Sequence, residues 1–340
     1  EYVIRESVAR TPRNFVFGAR DPEWDMIYEG AARKQFWVPS CGATERLTRV
    51  SATKITRKRA NKDDMAYAAK ITDGMDDYDG NNYIFDLGEE GQRGLPTELI
   101  KMDTMARSTT KNLGNLCTTV SDIKEFDYVM KLLAAVQGGE EELRKRPLTY
   151  SPINPLGTYQ LNKYNGWTMR ASIKHHFPIT PGIACFTPFT GPASIAGLVA
   201  VCHAGLLFTT ALKEFYDPGT IVLVNNLCGF FDPYAGKGYN TGNATAAETA
   251  VSSIWREMYG LPSAQYGGSC AAASDIMVFI NTANSMLQAV AGVEHQFIQF
   301  ADAALDPAYL VAAAEIAHYG RFLMQRLNSA LPTKENLALE

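Results

Sequence analysis

The 340-residue sequence lacks the marks of several protein classes. No apolar run reaches the roughly 18 residues of a membrane-spanning helix, and Glu1 to Arg5 do not have the charged-then-apolar layout of a secretion signal. Positive charge is not in excess. Lys and Arg number 32 against 36 Asp and Glu, a net charge of −4, so composition predicts neither nucleic acid nor membrane as a partner. One basic run, Lys54, Arg57, Lys58, Arg59 and Lys62, has no aromatic residue interleaved and reads as a solvated connection. The six cysteines, Cys41, Cys117, Cys185, Cys202, Cys228 and Cys270, are scattered and form no Cys-x-x-Cys pair. That spacing argues against a disulfide framework and predicts reduced thiols in a cytoplasmic protein. Phosphate motifs are missing as well: Gly236-Lys237-Gly238 has no Ser or Thr after the lysine, no Gly-x-Gly-x-x-Gly follows the first predicted strand, and His-Glu-x-x-His does not occur. The chain opens on Glu1 rather than Met, as a trimmed chain does.

What remains is the composition of an ordinary folded protein, 46% hydrophobic and 20% charged with 27 Gly and 16 Pro. From residue 35 onward, short β-branched or aromatic runs alternate with helical stretches, the pattern of βαβ units and a parallel sheet. Eight strands are predicted: Gln35 to Cys41, Asn82 to Leu87, Asn112 to Thr119, Leu148 to Asn154, Ile179 to Phe186, Thr220 to Leu227, Ala264 to Ser269 and Gln296 to Ala301. Helix starts are signalled by Asp122 and by Asp306-Pro307, helix ends by Gly138-Gly139 and Gly260. Eight such units favour an α/β fold of the (β/α)8 TIM barrel type over an open doubly wound sheet. Residues 1–34 read as an N-terminal extension packed on the barrel, 35–330 as the barrel and 331–340 as a tail.

In such a barrel, chemistry belongs on the loops after the strands. The richest ends are the fifth, with Phe186 and Phe189, the sixth, with Asn226, Cys228, Phe230, Phe231 and Asp232, and the seventh, with Tyr266, Gly267, Gly268, Ser269 and Cys270. Aromatic rings around a mouth can enclose a quaternary ammonium group, because the ring faces are electron-rich and the cation is poorly hydrated. The plainer reading is that these rings pack the loops. Cysteines near strand ends could gather a zinc ion, with Cys117, Cys228 and Cys270 as ligands, or could be small buried hydrophobes. The histidines offer little as catalytic bases. His175, His176, His203 and His318 fall in or at the ends of helices, and His295 precedes the eighth strand, at the wrong end of a barrel.

Four phrases occur in order along the chain: Ala19-Arg20-Asp21-Pro22-Glu23, Gly138-Gly139-Glu140-Glu141-Glu142-Leu143-Arg144, Gly191-Pro192-Ala193-Ser194-Ile195-Ala196-Gly197 and Tyr259-Gly260-Leu261-Pro262-Ser263. Together they resemble the trimethylamine methyltransferase family of corrinoid-dependent enzymes. The resemblance implies a barrel that moves a methyl group from a methylated amine to the Co(I) of a cognate corrinoid (cobalamin) protein, with no tightly bound metal of its own. Family members that use trimethylamine carry pyrrolysine near the end of strand seven. Here that region reads Ser269-Cys270-Ala271-Ala272-Ala273-Ser274-Asp275, which brings relatives acting on quaternary amines such as glycine betaine nearer. After strand six, Asp232 and Gly236 keep the family spacing, but Tyr234 stands where an arginine is usual.

On that resemblance, Phe186, Phe189, Phe230 and Tyr266 form the expected aromatic enclosure. Asn226 and Gln299 orient a polar tail, Asp232 places the loop after strand six, and the segment Gly267, Gly268, Ser269, Cys270 follows strand seven. The alternatives are zinc-dependent methyl transfer involving sulfur through Cys117, Cys228 and Cys270, and a non-catalytic betaine-binding barrel. Symmetric assembly is common at this size, so a homo-oligomer is expected on general grounds.

Overall fold

The computed structural model describes residues 2–30, 32, 34–40, 42–51, 54–87, 96–116, 123–155, 160–234, 236–239, 243–266, 275–299 and 304–330. The chain opens with helix α1 (Tyr2–Arg10) and the strands β1 (Asn14–Phe17) and β2 (Met26–Glu29), which pair antiparallel. β3 (Phe36–Ser40) is the first barrel strand. Two strands not expected from the sequence follow, β4 (Glu45–Arg49) and β5 (Ile55–Arg59), then helices α2 (Lys62–Asp73), α3 (Thr97–Ser108), α4 (Ile123–Gln137) and α5 (Glu140–Lys145). The alternation continues with β6 (Ser151–Ile153), α6 (Lys163–Lys174), β7 (Ile179–Thr187), α7 (Ile195–Tyr216), β8 (Val224–Asp232) and a short returning strand β9 (Lys237–Tyr239). It ends with α8 (Asn243–Tyr259), β10 (Ser263–Tyr266), α9 (Asp275–Ala291), β11 (His295–Gln299), β12 (Ala304–Leu305) and α10 (Ala308–Ala330).

Six parallel strands run side by side in the order β3-β11-β10-β8-β7-β6, so the eighth barrel strand pairs with the first. The second and third positions are filled differently. Segments 79–87 and 112–116 are extended but make only scattered bridges, Ala43 with Phe85 and Asn115 with Tyr150. Backbone bonds from Asp79 N to Trp37 O (2.9 Å), Asn81 N to Asn112 O (3.2 Å), Leu113 N to Leu148 O (2.9 Å) and Leu116 N to Tyr150 O (2.8 Å) close the ring. Asparagine side chains supply much of what a ladder would. Asn82 Oδ1 accepts from Tyr83 N and Asn115 N, Asn81 Nδ2 donates to Ala69 O, and Asn112 Nδ2 donates to Gly18 O. Gly114 makes this possible: its φ is +77°, and a Cβ there would lie 2.6 Å from Asn82 Cα. The molecule is therefore a (β/α)8 barrel with one loosely laddered side.

Alternation along each strand sends one face to the barrel axis and the other to the helices. On the helix side, Trp37, Ile298, Leu310 and Ala317 belong to one core, and Ile183, Cys185, Leu198, Val224 and Trp255 to another. The β1–β2 hairpin closes the end where the strands begin. Phe15, Phe17 and Tyr28 join Phe36, Tyr150, Leu223, Ala264 and Phe297 in a buried floor, with Phe17 to Tyr150 ring centroids 4.8 Å apart. His295 lies in this floor, bonded through Nδ1 to the Tyr28 hydroxyl (2.5 Å) and through Nε2 to the Tyr150 hydroxyl (3.3 Å). Burial holds its pKa down at about 3, so the ring is neutral.

Several sequence phrases have local explanations. Gly138 and Gly139 take positive φ just after α4, as does Gly260 after α8, and Asp306 Oδ1 accepts from Ala308 N at the start of α10. Asp21 caps a short 3-10 turn, and Asp25 in the same loop pairs with Arg146, fastening the N-terminal segment to the barrel. Asp122 lies outside the described residues. Among the described residues one helix, α7, is long and apolar enough to cross a membrane by length and composition, with a mean hydropathy of 2.0. In the barrel its inner face packs on β7 and α8, and it buries Lys213 and Glu214.

Candidate active site

The mouth lies where the parallel strands end, and strand alternation decides which side chains reach it. On β7, Ile183 and Cys185 pack outward with Leu198 and Cys202, so Gly182, Ala184 and Phe186 face the axis. On β8, Val224 and Cys228 face outward, which turns Asn225, Leu227, Gly229 and Phe231 inward. On β10, Gln265 donates to Glu248 Oε2 on α8 (3.1 Å), while Tyr266 turns inward and stacks on Phe297 at 4.7 Å.

Phe186 and Tyr266 are half-buried at the mouth. Phe189 stands above it, 71% exposed, and stacks on Phe231 with ring centroids 4.7 Å apart and an interplanar angle of 23°. The loop carrying Phe189 is held down by a bond from Phe186 N to Thr190 Oγ1 (2.8 Å) and by Gly191, where a Cβ would stand 2.4 Å from Cys185 Sγ. Ser194 then caps α7 by accepting from Gly197 N (3.1 Å). This accounts for the Gly191 to Gly197 phrase as a tight strand-to-helix turn. Asp232 Oδ1 accepts from Tyr234 N (2.8 Å), shaping the turn between β8 and β9, and Tyr234 is fully exposed at its tip.

Two expected site residues point elsewhere. Asn226 faces α8, with Nδ2 3.5 Å from Glu248 O, and Phe230 shares its outward face of β8. Their neighbours Asn225 and Phe231 take the inward positions. Asn225 is 3% exposed, and its Oδ1 has no hydrogen-bond partner among the described residues. Asn154, at the end of the fourth strand, lies beside it: a Cβ on Gly182 would be 2.6 Å from Asn154 Oδ1 and 3.1 Å from Asn225 O. Gln299 ends β11 opposite Ser40, and only its backbone is described. Gly267, Gly268, Ser269, Cys270 and Cys117 lie outside the described residues.

Cys228 is likewise not at the mouth. It lies behind the sheet near Cys185 and Cys202, all three buried. Contact with Cys202 and burial push the Cys185 thiol up; at Cys228 the contact with Cys202 pulls the thiol down, but burial together with the nearby Glu248 and Cys185 leaves it raised. Raised thiols are poor zinc ligands, because the metal takes thiolate. Among the described residues no three of His, Cys, Asp and Glu converge as a metal site.

One polar group near the mouth was not foreseen. Lys101, fully buried on α3, reaches Asp86 (2.6 Å) and Glu98 (3.0 Å) and sits over the Tyr83 ring at 4.8 Å, while Glu125 Oε1 accepts from Glu98 N. Its members come from three separated segments of unremarkable charge pattern, so nothing local in the sequence announces it. A cavity of about 250 Å3 lined by Asp127, Lys131, Arg144, His175 and Phe177 lies at the opposite end, before β7, away from the strand ends where a barrel places its chemistry.

The family profile described as trimethylamine methyltransferase (MTTB) matches residues 1–303. The chain belongs to this trimethylamine methyltransferase family. Among its relatives in that family, the trimethylamine methyltransferase MttB of Desulfitobacterium hafniense (strain DSM 10664 / DCB-2) is 21% identical over 274 residues, covering 79% of this chain and 52% of the relative. A glycine betaine methyltransferase of Desulfitobacterium hafniense (strain Y51) is 24% identical over 272 residues, covering 78% and 54%. The chain thus spans about half the length of the relatives it matches. Among solved structures, the Methanosarcina barkeri monomethylamine methyltransferase MtmB superposes with a TM-score of 0.62 at 8% identity, over 92% of this chain and 66% of that one. A Coxiella burnetii dihydropteroate synthase gives 0.52 at 12% identity, over 91% and 98%. At these identities the superpositions speak to the barrel fold alone.

Proposed function

We propose that this member of the trimethylamine methyltransferase family is a methyltransferase that takes a methyl group from a small quaternary ammonium compound resembling glycine betaine. The observation that carries the reading is the uncharged aromatic lining of the mouth, Phe186, Phe189, Phe231 and Tyr266, above a small polar floor of Asn154 and Asn225. Aromatic faces attract a trimethylammonium group while shedding water, a contribution of about 0.5–2 kcal/mol per well-placed ring. The buried Asn225 amide can turn either end inward, so it can donate N–H to a carboxylate tail.

The methyl acceptor is a corrinoid carried by a partner protein, whose Co(I) supplies the nucleophile. The fit of the mouth to such a partner rests on its openness: Phe189 and Tyr234 stand exposed at its rim. The chain's own part is to hold the ammonium with one N-methyl directed outward and to exclude water from the reacting carbon. No proton donor is needed, because loss of a methyl cation equivalent leaves a neutral tertiary amine.

The test is an anaerobic assay of the purified chain with Co(I) cobalamin and a panel of methylated amines, betaines and thioethers, followed by the absorbance of methylcobalamin. Glycine betaine or a near analogue is expected to give methylcobalamin; no product with any quaternary amine overturns the proposal.

A further inference from the structure

No residue of β4 or β5 is fully buried. The β4–β5 hairpin rises from the end of the first strand at the mouth, and β12, which follows the eighth strand, adds to β4 in parallel, so the three-stranded sheet stands over the seam between strands one and eight. β5 is its free edge, exposed at every residue. The base is firmly set: Asp64, nearly buried on α2, accepts from Arg46 (2.8 Å) and pairs with Lys58 (2.9 Å), and it closes a capping box with Asn61. Above that base the charge is of one sign. Residues 45–59 hold Arg46, Arg49, Lys54, Arg57, Lys58 and Arg59 against Glu45 alone, a net of +5; since the whole chain is −4, everything else sums to −9. Arg57 pairs with Glu45, but Arg49, Lys54 and Arg59 are exposed and make no ion pair among the described residues.

Protecting a sheet edge from aggregation accounts for one or two charges. It does not account for Arg49, Lys54 and Arg59, three further cations on one hairpin with no counter-ion among the described residues, whose mutual repulsion an anionic surface would relieve. A nucleic acid is a poor candidate, because the hairpin has no aromatic residue to stack on bases. We infer that the β4–β5 hairpin is a docking arm for an acidic protein surface, and that its position at the mouth makes that surface part of the methyl-accepting corrinoid protein. This rests on the methyl-transfer reading for the partner's identity, but not for the docking itself.

The experiment uses the full chain and its Arg49→Glu, Lys54→Glu, Arg59→Glu variant, whose three side chains lie outside the pocket and the core. The probe is a recombinant corrinoid protein of a trimethylamine methyltransferase system, loaded with cobalamin; its binding is measured by titration calorimetry, and methyl transfer to it and to free Co(I) cobalamin is measured separately. The wild-type Kd is expected to weaken severalfold between 50 and 300 mM KCl. The variant should bind at least tenfold more weakly, with most of that salt dependence gone and its rate toward free cobalamin unchanged. Equal Kd values and equal salt slopes overturn the docking arm while leaving the methyl-transfer reading intact. Absence of methyl transfer to either acceptor defeats that reading, and the calorimetry still decides the arm. A 20-nucleotide RNA serves as the competing ligand: binding that the charge reversal abolishes, with protein docking unaffected, also overturns the proposal.

Discussion

Aromatic rings gather at both ends of the barrel, and they are held in opposite ways. At the floor, Phe15, Phe17, Tyr28, Phe36, Tyr150 and Phe297 interlock around a neutral histidine and are almost wholly buried. At the mouth, Phe186, Phe231 and Tyr266 are half-buried, and Phe189 is open to water. The floor rings were covered by a hairpin of the same chain, so their burial is already part of folding. Nothing among the described residues covers the mouth rings, so their burial is available to a ligand. The same residue type thus serves stability at one end and, on the proposed function, recognition at the other.

The largest effect should come from the floor. Phe17→Ala removes a fully buried ring and is expected to cost about 3–5 kcal/mol in urea unfolding. A cost below about 1 kcal/mol would mean that the hairpin is not a structural part of the barrel.

Next is the floor's response to pH, where two neighbours act in opposite directions. His295 is held down at about 3, so between pH 3 and 6.5 the unfolded chain takes up its proton and the folded chain does not; its contribution to stability is lost as pH falls through that range. Glu294 is raised by burial to about 7, so its contribution is lost as pH rises from about 4.5 to 7. Glu294→Gln removes the second limb. Relative to wild type it should gain roughly 3 kcal/mol between pH 4.5 and 7, read from urea midpoints. A pH-independent difference would show that Glu294 is not held protonated.

The mouth should behave in the reverse manner. Phe231→Ala is expected to change stability by no more than about 1 kcal/mol and to raise KM for the accepted quaternary amine about tenfold, corresponding to about 1.4 kcal/mol of lost binding. Unchanged KM would remove Phe231 from the enclosure. Smallest of all, Phe230→Ala, on the outer face of the same strand, should leave that KM within about twofold. A larger rise would restore the inward assignment of Phe230.

That last pair shows how far sequence reading reached. The alternation of strands and helices was legible because each barrel strand is a short apolar run bounded by turn residues. Around strand six the run Ile221 to Phe231 is apolar with little interruption, so its ends were not marked; the expected Thr220 to Leu227 became Val224–Asp232. Within such a run, inner and outer faces cannot be told apart from composition, and a shift of one residue exchanges them. Asn226 and Phe230 were expected in the mouth where Asn225 and Phe231 stand. The basic run Lys54 to Lys62 reads as a solvated connection although it carries β5, because a strand exposed on both faces carries no hydrophobic alternation. Segments 79–87 and 112–116 lie at the expected second and third positions, but their asparagine side chains replace much of the ladder.

By itself the sequence determined the barrel and its family, because both depend on patterns repeated along the whole chain. Tertiary structure alone decided which rings are floor and which are mouth, which asparagine faces the axis, and where the basic run stands. Those outcomes turn on the phase of each strand and on which segments meet across the closed sheet, and neither is encoded in any short stretch of residues.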